Sequence, residues 1–245
     1  MAPINFPQRD ESADDRNVTK LPPRPSSLEG RTLGDYTISV KDEKPLRRIG
    51  WTGFRLFLQR PDSRHCTGPV IEGIHSSGGK GVKPWLDIEY REDVDFSEGE
   101  ATREGISLRR LGLDADLFGT LERLIPPGGH IMVSYETDGA IHRETLRLLD
   151  AGVPPAATPM GFLLFRSGFT LVKNWYLAEG GHEGPRKLWG EKAPDTEWEA
   201  TFRQRTERQV REFLARTTGH GSAELDEEAR IRAEAILAFS GRGNP

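Results

Sequence analysis

Four short segments near the start of the chain alternate apolar and polar residues. Gly53–Gln59 is the clearest of them, because Phe54, Leu56 and Leu58 occupy every second position. Successive side chains of a strand point to opposite faces of its sheet, so this alternation is typical of a strand with one buried face. Turns separate the segments, and the whole pattern predicts a run of antiparallel strands. The four segments are Asp35–Val40, Gly53–Gln59, Pro69–His75 and Pro84–Tyr90.

A helical period follows further along the chain. Apolar residues recur every three to four positions in Leu113–Ile125, where Asp114 is well placed to cap the helix. The same period returns in Ala140–Asp150, and Gly152 stands at the C-terminal cap of that helix. His130–Tyr135, between the two, is an apolar strand. Two strands joined through a helix predict at least one parallel, right-handed crossover.

The next stretch is predicted to complete the sheet. Gly161–Arg166 and Thr170–Leu177 are two apolar segments, and the Ser-Gly pair between them predicts a hairpin of two strands. Glu179–Ala193 follows with several glycines, a proline and three basic residues, and it is predicted to be a loop.

These patterns divide the chain into three parts. Residues 1–30 lack apolar periodicity and are predicted to be a disordered or extended arm. Residues 31–194 form the main domain, and residues 195–245 form a C-terminal helical extension whose second helix is Ser222–Phe239. The extension is rich in Arg and Glu, which is typical of solvated helices docked on the core or on a second subunit. The predicted fold class is α+β, with one mixed, mostly antiparallel sheet flanked by helices.

Composition narrows the function classes. The chain has 245 residues and a net charge of −4 with both signs interspersed, so nothing predicts a nucleic-acid partner. Cys66 is the only cysteine, which excludes an internal disulfide and a thiolate zinc site. Neither an apolar leader nor a membrane-spanning run occurs. We therefore expect a soluble cytoplasmic protein without a membrane partner.

One turn has the chemistry of an anion site. Arg109 and Arg110 precede Gly112 and Leu113, and the predicted helix begins directly afterwards. Amide groups at the start of a helix, the positive end of its dipole and two guanidinium groups together suit a phosphate. Asp114 departs from this chemistry, because its carboxylate repels a phosphate.

The order of elements resembles the core of GNAT-type N-acetyltransferases over about half of the chain. In that family the turn before the central helix reads Arg/Gln-x-x-Gly-x-Gly/Ala, and its amides hold the pyrophosphate of coenzyme A. This chain has Asp114 at the last of those positions. The resemblance implies that acetyl-CoA or another acyl-CoA is the cofactor and that it is bound by Arg109, Arg110, Gly112 and Leu113.

The same resemblance implies where the catalytic groups lie. A base that takes the proton of the attacking amine would stand on the strand matching Pro84–Tyr90 or on the one matching His130–Tyr135. The usual donor to the leaving thiolate is a tyrosine after the second helix, but Ala140–Val153 contains none. The residues assigned to catalysis are Glu89, Tyr135 and Glu136.

A second resemblance covers the block from Pro154 to Lys192. This block is similar to an uncharacterised family, number 1122 among the domains of unknown function, which is grouped with the acetyltransferase superfamily. The glycine-rich Glu179–Lys192 segment within it is predicted to be a binding loop, anchored by neighbouring aromatic residues. Its predicted substrate-binding residues are His182, Glu183, Arg186 and Lys187, of which Arg186 and Lys187 are the groups for a carboxylate or phosphate.

Two hypotheses of different classes follow. The first is a GNAT-like acyltransferase that moves an acyl group from acyl-CoA or a related donor to a small-molecule or protein amine. The second is a non-catalytic binding or assembly protein on the same fold, which uses the glycine-rich loop and the C-terminal helices to meet a partner or a second copy. Asp114 and the missing donor tyrosine favour the second, and the glycine-rich basic segments favour the first.

Overall fold

The structure is a computed structural model that describes residues 23–46, 50–61, 66–79, 82–96, 105–134, 139–179, 182–217 and 227–240. Within these residues there are ten strands and six α-helices, with two short 3-10 helices at Pro25–Leu28 and Pro155–Ala157. The predicted class, α+β with a mostly antiparallel sheet and C-terminal helices, is confirmed.

Eight of these strands form the main sheet, in the order β1-β2-β3-β4-β5-β8-β10-β9, and β6 pairs with β7 in a separate ribbon. All neighbours in the main sheet are antiparallel except β5 and β8, which run parallel as the strand–helix–strand pattern predicts. The strands are β1 (Thr32–Leu33), β2 (Tyr36–Pro45), β3 (Trp51–Gln59), β4 (Ile71–Ser76), β5 (Trp85–Tyr90), β6 (Asp93–Asp95), β7 (Gly105–Ser107), β8 (His130–Ser134), β9 (Leu171–Glu179) and β10 (His182–Glu191).

Two helices, α2 (Asp114–Glu122) and α3 (Ala140–Asp150), pack on the same face of this sheet. In α2 the ring of Phe118 contacts Tyr90 of β5 edge-on, with ring centroids 5.2 Å apart, and in α3 the His142 ring bonds the Tyr90 carbonyl oxygen at 2.8 Å. The helices are α1 (Leu108–Leu111), α2 (Asp114–Glu122), α3 (Ala140–Asp150), α4 (Pro159–Arg166), α5 (Thr196–Thr217) and α6 (Glu227–Ser240).

Alternation along the strands corresponds to burial. In β3, Phe54, Leu56 and Leu58 are at most 2% exposed, whereas the residues between them are half-buried. The predicted helix Ala140–Asp150 is α3 without change, and Gly152 after it has a φ of +79°, the left-handed conformation of a glycine that ends a helix. The helical period of 3.6 residues and the strand period of 2.0 residues therefore identified α3 and β3 correctly.

The predicted strand Gly161–Arg166 is wrong, because this segment belongs to helix α4. An apolar run of six residues fits a buried strand and a buried helix equally well. The helix is determined by its start, where the Thr158 hydroxyl accepts a hydrogen bond from the Gly161 amide at 3.2 Å and Pro159 occupies the first helical position. The predicted hairpin at Ser167-Gly168 is therefore wrong too.

The predicted loop Glu179–Ala193 is also wrong, because most of it is strand β10, between β8 and β9. Glycine and proline are depleted in strands, which is why the composition favours a loop. The β10–β9 register shifts between Glu183 and Arg186, around Pro185, and an irregularity of this kind is where a sheet accepts a proline. The closing hairpin is therefore β9–β10.

The C-terminal helices pack on the rest of the chain. The Thr206 hydroxyl of α5 donates to the Thr170 carbonyl oxygen at 3.0 Å, and the Arg232 Nε of α6 donates to the Ala157 carbonyl oxygen at 2.8 Å. Val210 and Ile236 belong to the same buried cluster as the sheet residues. At the other end, Leu28 is 1% exposed, so the last residues of the predicted arm also pack on the core. Among the described residues, no helix is both long and apolar enough to cross a membrane.

Two glycine-to-alanine substitutions in helices are expected to have opposite effects. A Cβ at Gly161 would lie 1.8 Å from the Pro155 carbonyl oxygen, so Gly161→Ala should lower the free energy of unfolding by about 1–3 kcal/mol. A Cβ at Gly119 in α2 would meet nothing within 4 Å, so Gly119→Ala should raise that free energy by roughly 0.5–1 kcal/mol. Denaturant unfolding of both variants checks the pair, and a Gly161→Ala protein as stable as the parent would contradict the packing of α4 against Pro155.

Candidate functional site

The parallel pair β5–β8 lies near the middle of the sheet and aligns polar residues in rows. Glu89 is paired with Ser134, Asp87 with Met132 and Trp85 with His130. On the other side of β8, Ser134 is paired with Lys187 and Met132 with Trp189 of β10. Because paired residues point to the same face, these side chains share the face opposite the helical layer. We call this set the central patch: Trp85, Asp87, Glu89, His130, Met132, Ser134, Lys187 and Trp189.

An ion pair crosses the central patch. The Lys187 Nζ lies 2.7 Å from Oδ1 and 2.6 Å from Oδ2 of Asp87, and the two side chains are 15% and 25% exposed, respectively. Because β5 and β10 flank β8, the pair spans the intervening strand above Met132, whose side chain is 8% exposed. A charge pair that is only partly solvated interacts more strongly than a surface pair, and loss of either member leaves the other poorly compensated.

Aromatic rings flank the ion pair on one side. The Trp85 ring contacts Trp51 edge-on at a centroid distance of 4.9 Å, and the His130 ring stacks on Trp189 at 3.8 Å. Burial lowers the pKa of His130 to about 4, Glu191 opposes this change and Lys83 adds to it, so the ring is neutral at pH 7. This end of the patch therefore offers uncharged rings, bordered by Glu191, which is paired with His130 in the sheet and forms ion pairs with Lys83 and Lys173.

Carboxylates dominate the opposite end of the patch. Glu89 is 39% exposed and its Oε1 lies 3.6 Å from the Arg91 guanidinium. Glu72 of β4 is paired directly with Glu89 in the sheet register. Like charges in such opposed positions destabilise a sheet, and Arg55 of β3, which is paired with Glu72 on its other side, offsets that repulsion.

The predicted phosphate turn lies on the helical side of the sheet. Arg109 and Arg110 lie in α1, Gly112 follows with a φ of +69°, and α2 begins after Leu113. The Gly112 amide donates to the Arg109 carbonyl oxygen at 3.1 Å, and the Leu113 amide donates to the Leu108 carbonyl oxygen at 2.9 Å. Both amides of the motif are thus used within the chain.

The carboxylate of Asp114 occupies the start of α2. Its Oδ1 accepts a hydrogen bond from the Ala115 amide at 2.8 Å, so it stands where an external anion would meet the helix. Asp114 is the first residue of α2 rather than the predicted cap before it. Burial raises the pKa of Asp114, and the Ala115 amide and the Arg109 guanidinium oppose that effect.

A second carboxylate occupies the start of α3. The Oε1 of Glu92, a residue that is 3% exposed, accepts from the Ile141 amide at 2.8 Å. Nearby, the Tyr90 hydroxyl is fully buried and has no hydrogen-bond partner among the described residues, and burial together with the Asp114 and Glu92 charges raises the pKa of Tyr90. Both helices that follow the parallel strands therefore have a chain carboxylate at their first turn.

The predicted site residues lie in different parts of the structure. Glu89 and Lys187 lie in the central patch, whereas Arg186 is on the other face of β10 and pairs with Asp150 at 3.2 Å. Four residues occupy the turn on the helical side, namely Arg109, Arg110, Gly112 and Leu113. Tyr135 and Glu136, and the side chains of His182 and Glu183, lie outside the described part of the chain.

Asp87 is the residue that the sequence prediction left out of the site. The position of Asp87 could be predicted from the sequence, because Asp87 and Glu89 alternate with apolar residues on one strand. Its ion pair with Lys187 could not be predicted, because it depends on β10 lying beside β8. Among the described residues, no cluster of three or more His, Cys, Asp or Glu side chains is arranged to hold a metal ion.

Comparison with models of known protein families identifies the family of this chain. The profile of a family described as protein of unknown function, DUF1122, matches residues 34–217. The chain belongs to the DUF1122 family. The matched range includes every residue of the central patch and the whole Arg109–Asp114 turn. Both candidate sites are therefore part of the DUF1122 domain.

A solved structure shares this DUF1122 fold. The crystal structure of AQ1966, a protein of unknown function from Aquifex aeolicus VF5, superposes with a TM-score of 0.62 at 21% sequence identity. The match covers 89% of this chain and 96% of that chain. At this identity the similarity concerns the fold alone. A comparison with curated proteins found no match.

Proposed function

We propose that this DUF1122 chain is a GNAT-like acyltransferase that moves an acyl group from acyl-CoA to an amine held on the central patch. The observation that carries the proposal is the position of Asp87 and Glu89. Both lie on β5, next to the parallel strand β8, and both point to the face of the sheet opposite α2 and α3. The strand order, with one parallel pair and a closing antiparallel hairpin, is consistent with the acetyltransferase resemblance.

The central patch supplies the acceptor chemistry. The ammonium group of the acceptor pairs with Asp87, and Glu89, which is more exposed, takes its proton directly or through water. The free amine then attacks the thioester carbonyl carbon, the new C–N bond forms, and the C–S bond breaks. The nitrogen loses its second proton after the attack, and that proton passes to the leaving thiolate, so the products are an amide and coenzyme A. Tyr135 and Glu136, which directly follow β8 in sequence, stay predicted catalytic residues.

The Arg109–Leu113 turn is proposed to bind the acyl donor, acyl-CoA. Arg109 and Arg110 neutralise the pyrophosphate, and the first turn of α2 offers its amides once the Asp114 carboxylate gives way. Asp114 weakens this site, because its carboxylate already accepts from the Ala115 amide at the start of α2. We therefore expect modest affinity for acyl-CoA.

A binding protein without chemistry is the second candidate, and Asp114 favours it. If the helix start is permanently satisfied by Asp114, the turn needs no cofactor, and the central patch alone would recognise a ligand. The acyltransferase proposal predicts that the chain binds coenzyme A, and the binding-protein alternative predicts that it does not.

Titration of the full chain with coenzyme A and acetyl-CoA by calorimetry separates them. The acyltransferase proposal predicts binding by the parent protein and a roughly five-fold gain in affinity for Asp114→Ala, equivalent to about 1 kcal/mol from the removed charge. Arg109→Ala/Arg110→Ala should abolish binding. Arg123→Ala, an exposed arginine at the other end of α2, is the matched control and should leave the affinity unchanged.

The absence of heat and of a thermal shift at millimolar coenzyme A, in both the parent protein and Asp114→Ala, would contradict acyl transfer. The binding function would then be the better account.

A further inference from the structure

We infer that the acceptor is a free α-amino acid with a large apolar side chain, recognised through both its ammonium and its carboxylate. This inference rests on the proposed function, because it names the substrate class of the same site. Its basis is the arrangement of Asp87, Lys187 and the rings beside them.

Lys187 occupies the position on Asp87 that is proposed for the acceptor ammonium. Its ammonium lies 2.6 and 2.7 Å from the two oxygens of Asp87, which is the contact that an acceptor ammonium would make. An incoming amine must therefore displace the Lys187 ammonium before it reaches Asp87. Lys187 is only 15% exposed, so water does not fully compensate the displaced charge.

The identity of the ligand decides whether that displacement is costly. A simple amine exchanges one ammonium for another on Asp87 and deprives Lys187 of its counter-ion. Glu89, the other carboxylate of the central patch, lies in the register row of Lys187 but also faces the Arg91 guanidinium at 3.6 Å. A ligand that carries an anion next to its amine restores both ion pairs, since its carboxylate accepts from Lys187 while its ammonium donates to Asp87. The site therefore favours zwitterions over simple amines, because a simple amine leaves a half-buried charge poorly paired.

The rings beside the ion pair indicate the side chain of the amino acid. Trp85 precedes Asp87 by two residues on β5, so its Cα lies about 7 Å further along that strand. Trp189 lies in the register row of Asp87 and Met132, and its ring stacks on His130, the residue paired with Trp85. Met132 forms the floor between them and is 8% exposed. An apolar or aromatic side chain directed to this side would contact Trp85, Met132 and Trp189.

Four matched compounds test this recognition on the full chain by calorimetry: L-phenylalanine, L-phenylalaninamide, phenethylamine and 3-phenylpropanoate. Phenylalanine carries both charges, its amide and phenethylamine carry the ammonium alone, and 3-phenylpropanoate carries the carboxylate alone. We expect L-phenylalanine to bind about tenfold or more tightly than each of the other three, because only it satisfies both Asp87 and Lys187. Lys187→Met should reduce its affinity to that of phenylalaninamide, whose own affinity should not fall.

Lys192→Met is the matched control. Lys192 is also a partly buried lysine, 18% exposed and paired with a carboxylate, Glu122, but its ammonium donates to the Ile125 carbonyl oxygen at 2.7 Å, away from the central patch. This variant should keep the preference for phenylalanine. Lys187→Gln provides a second uncharged variant, and melting curves of each variant confirm that it is folded.

Equal binding of phenylalanine, its amide and phenethylamine would overturn the inference while leaving the amine site of the proposed function in place. A preference that persists in Lys187→Met, or no binding of any of the four compounds, would also overturn it. Selective phenylalanine binding without coenzyme A binding would support this recognition and contradict acyl transfer, so the two failures are distinguishable.

Discussion

Asp87→Asn is expected to lower the affinity for an amine acceptor by about 2 kcal/mol or more, roughly thirty-fold, because it removes the carboxylate that receives the ammonium. The substitution keeps the shape of the side chain and removes only its charge. Calorimetric titration of L-phenylalanine into the parent protein and into the variant measures this change in affinity. Asp150→Asn is the matched control, because Asp150 also pairs with a β10 cation, Arg186, but is 65% exposed and outside the central patch.

The same substitution should reduce stability, since it leaves the Lys187 ammonium without a counter-ion at 15% exposure. We expect a loss of about 1–3 kcal/mol in the free energy of unfolding. Asp87→Asn/Lys187→Met removes both charges and should recover part of that loss, so a double-mutant cycle isolates the pair. Unchanged stability and unchanged acceptor affinity in Asp87→Asn would contradict the role given to the ion pair.

Acidification should destabilise the protein through buried histidines such as His75. His75 is 1% exposed, and burial, with a smaller contribution from Arg24, lowers its pKa from 6.5 to about 4. The unfolded chain therefore takes up this proton below about pH 6.5, while the folded chain resists it. Each pKa unit corresponds to about 1.4 kcal/mol, so His75 alone should cost about 3 kcal/mol at pH 4.

The sign of this effect can be checked directly. A group with a depressed folded-state pKa contributes stability that is present above its unfolded pKa and is lost as the pH falls towards the folded value. Denaturant unfolding at pH 7, 5.5 and 4 should show the parent losing more stability than His75→Leu, which cannot titrate at this position. Parallel pH profiles for the two proteins would show that His75 does not stay neutral in the fold.

Much of the sheet could be predicted from the sequence because its strands have one buried face. In β3 and β5, apolar residues recur at every second position, and this period is what the core requires. Helix α3 was predicted from a 3.6-residue period and a terminal glycine. These signals are local, and no other element has to be known to interpret them.

Other elements depend on contacts that local patterns do not contain. The segment Gly161–Arg166 is apolar on all sides, so its period is uninformative, and the Thr158–Pro159 start signal was the only indication of a helix. Strand β10 contains glycines and a proline that favour a loop locally. It is a strand because β8 and β9 pair with it on both sides.

The candidate site illustrates the same difference. Glu89 and Lys187 were each predicted from their chemistry, but their common position on one face required the order β5-β8-β10. The Arg109–Leu113 turn was predicted as an anion site from its composition. Composition could not reveal that its amides are already bonded within the chain, or that the Asp114 carboxylate meets the first turn of α2.

The central claim is that the chain transfers an acyl group to an amine on the central patch, and product formation tests it most directly. The full chain is incubated with acetyl-CoA and L-phenylalanine or phenethylamine, and mass spectrometry measures the acetylated amine and free coenzyme A in equal amounts. The account predicts product that increases with protein concentration, falls at least tenfold in Asp87→Asn and is unchanged in Asp150→Asn. Product no higher than in a protein-free control, although the amine binds the central patch, would contradict it.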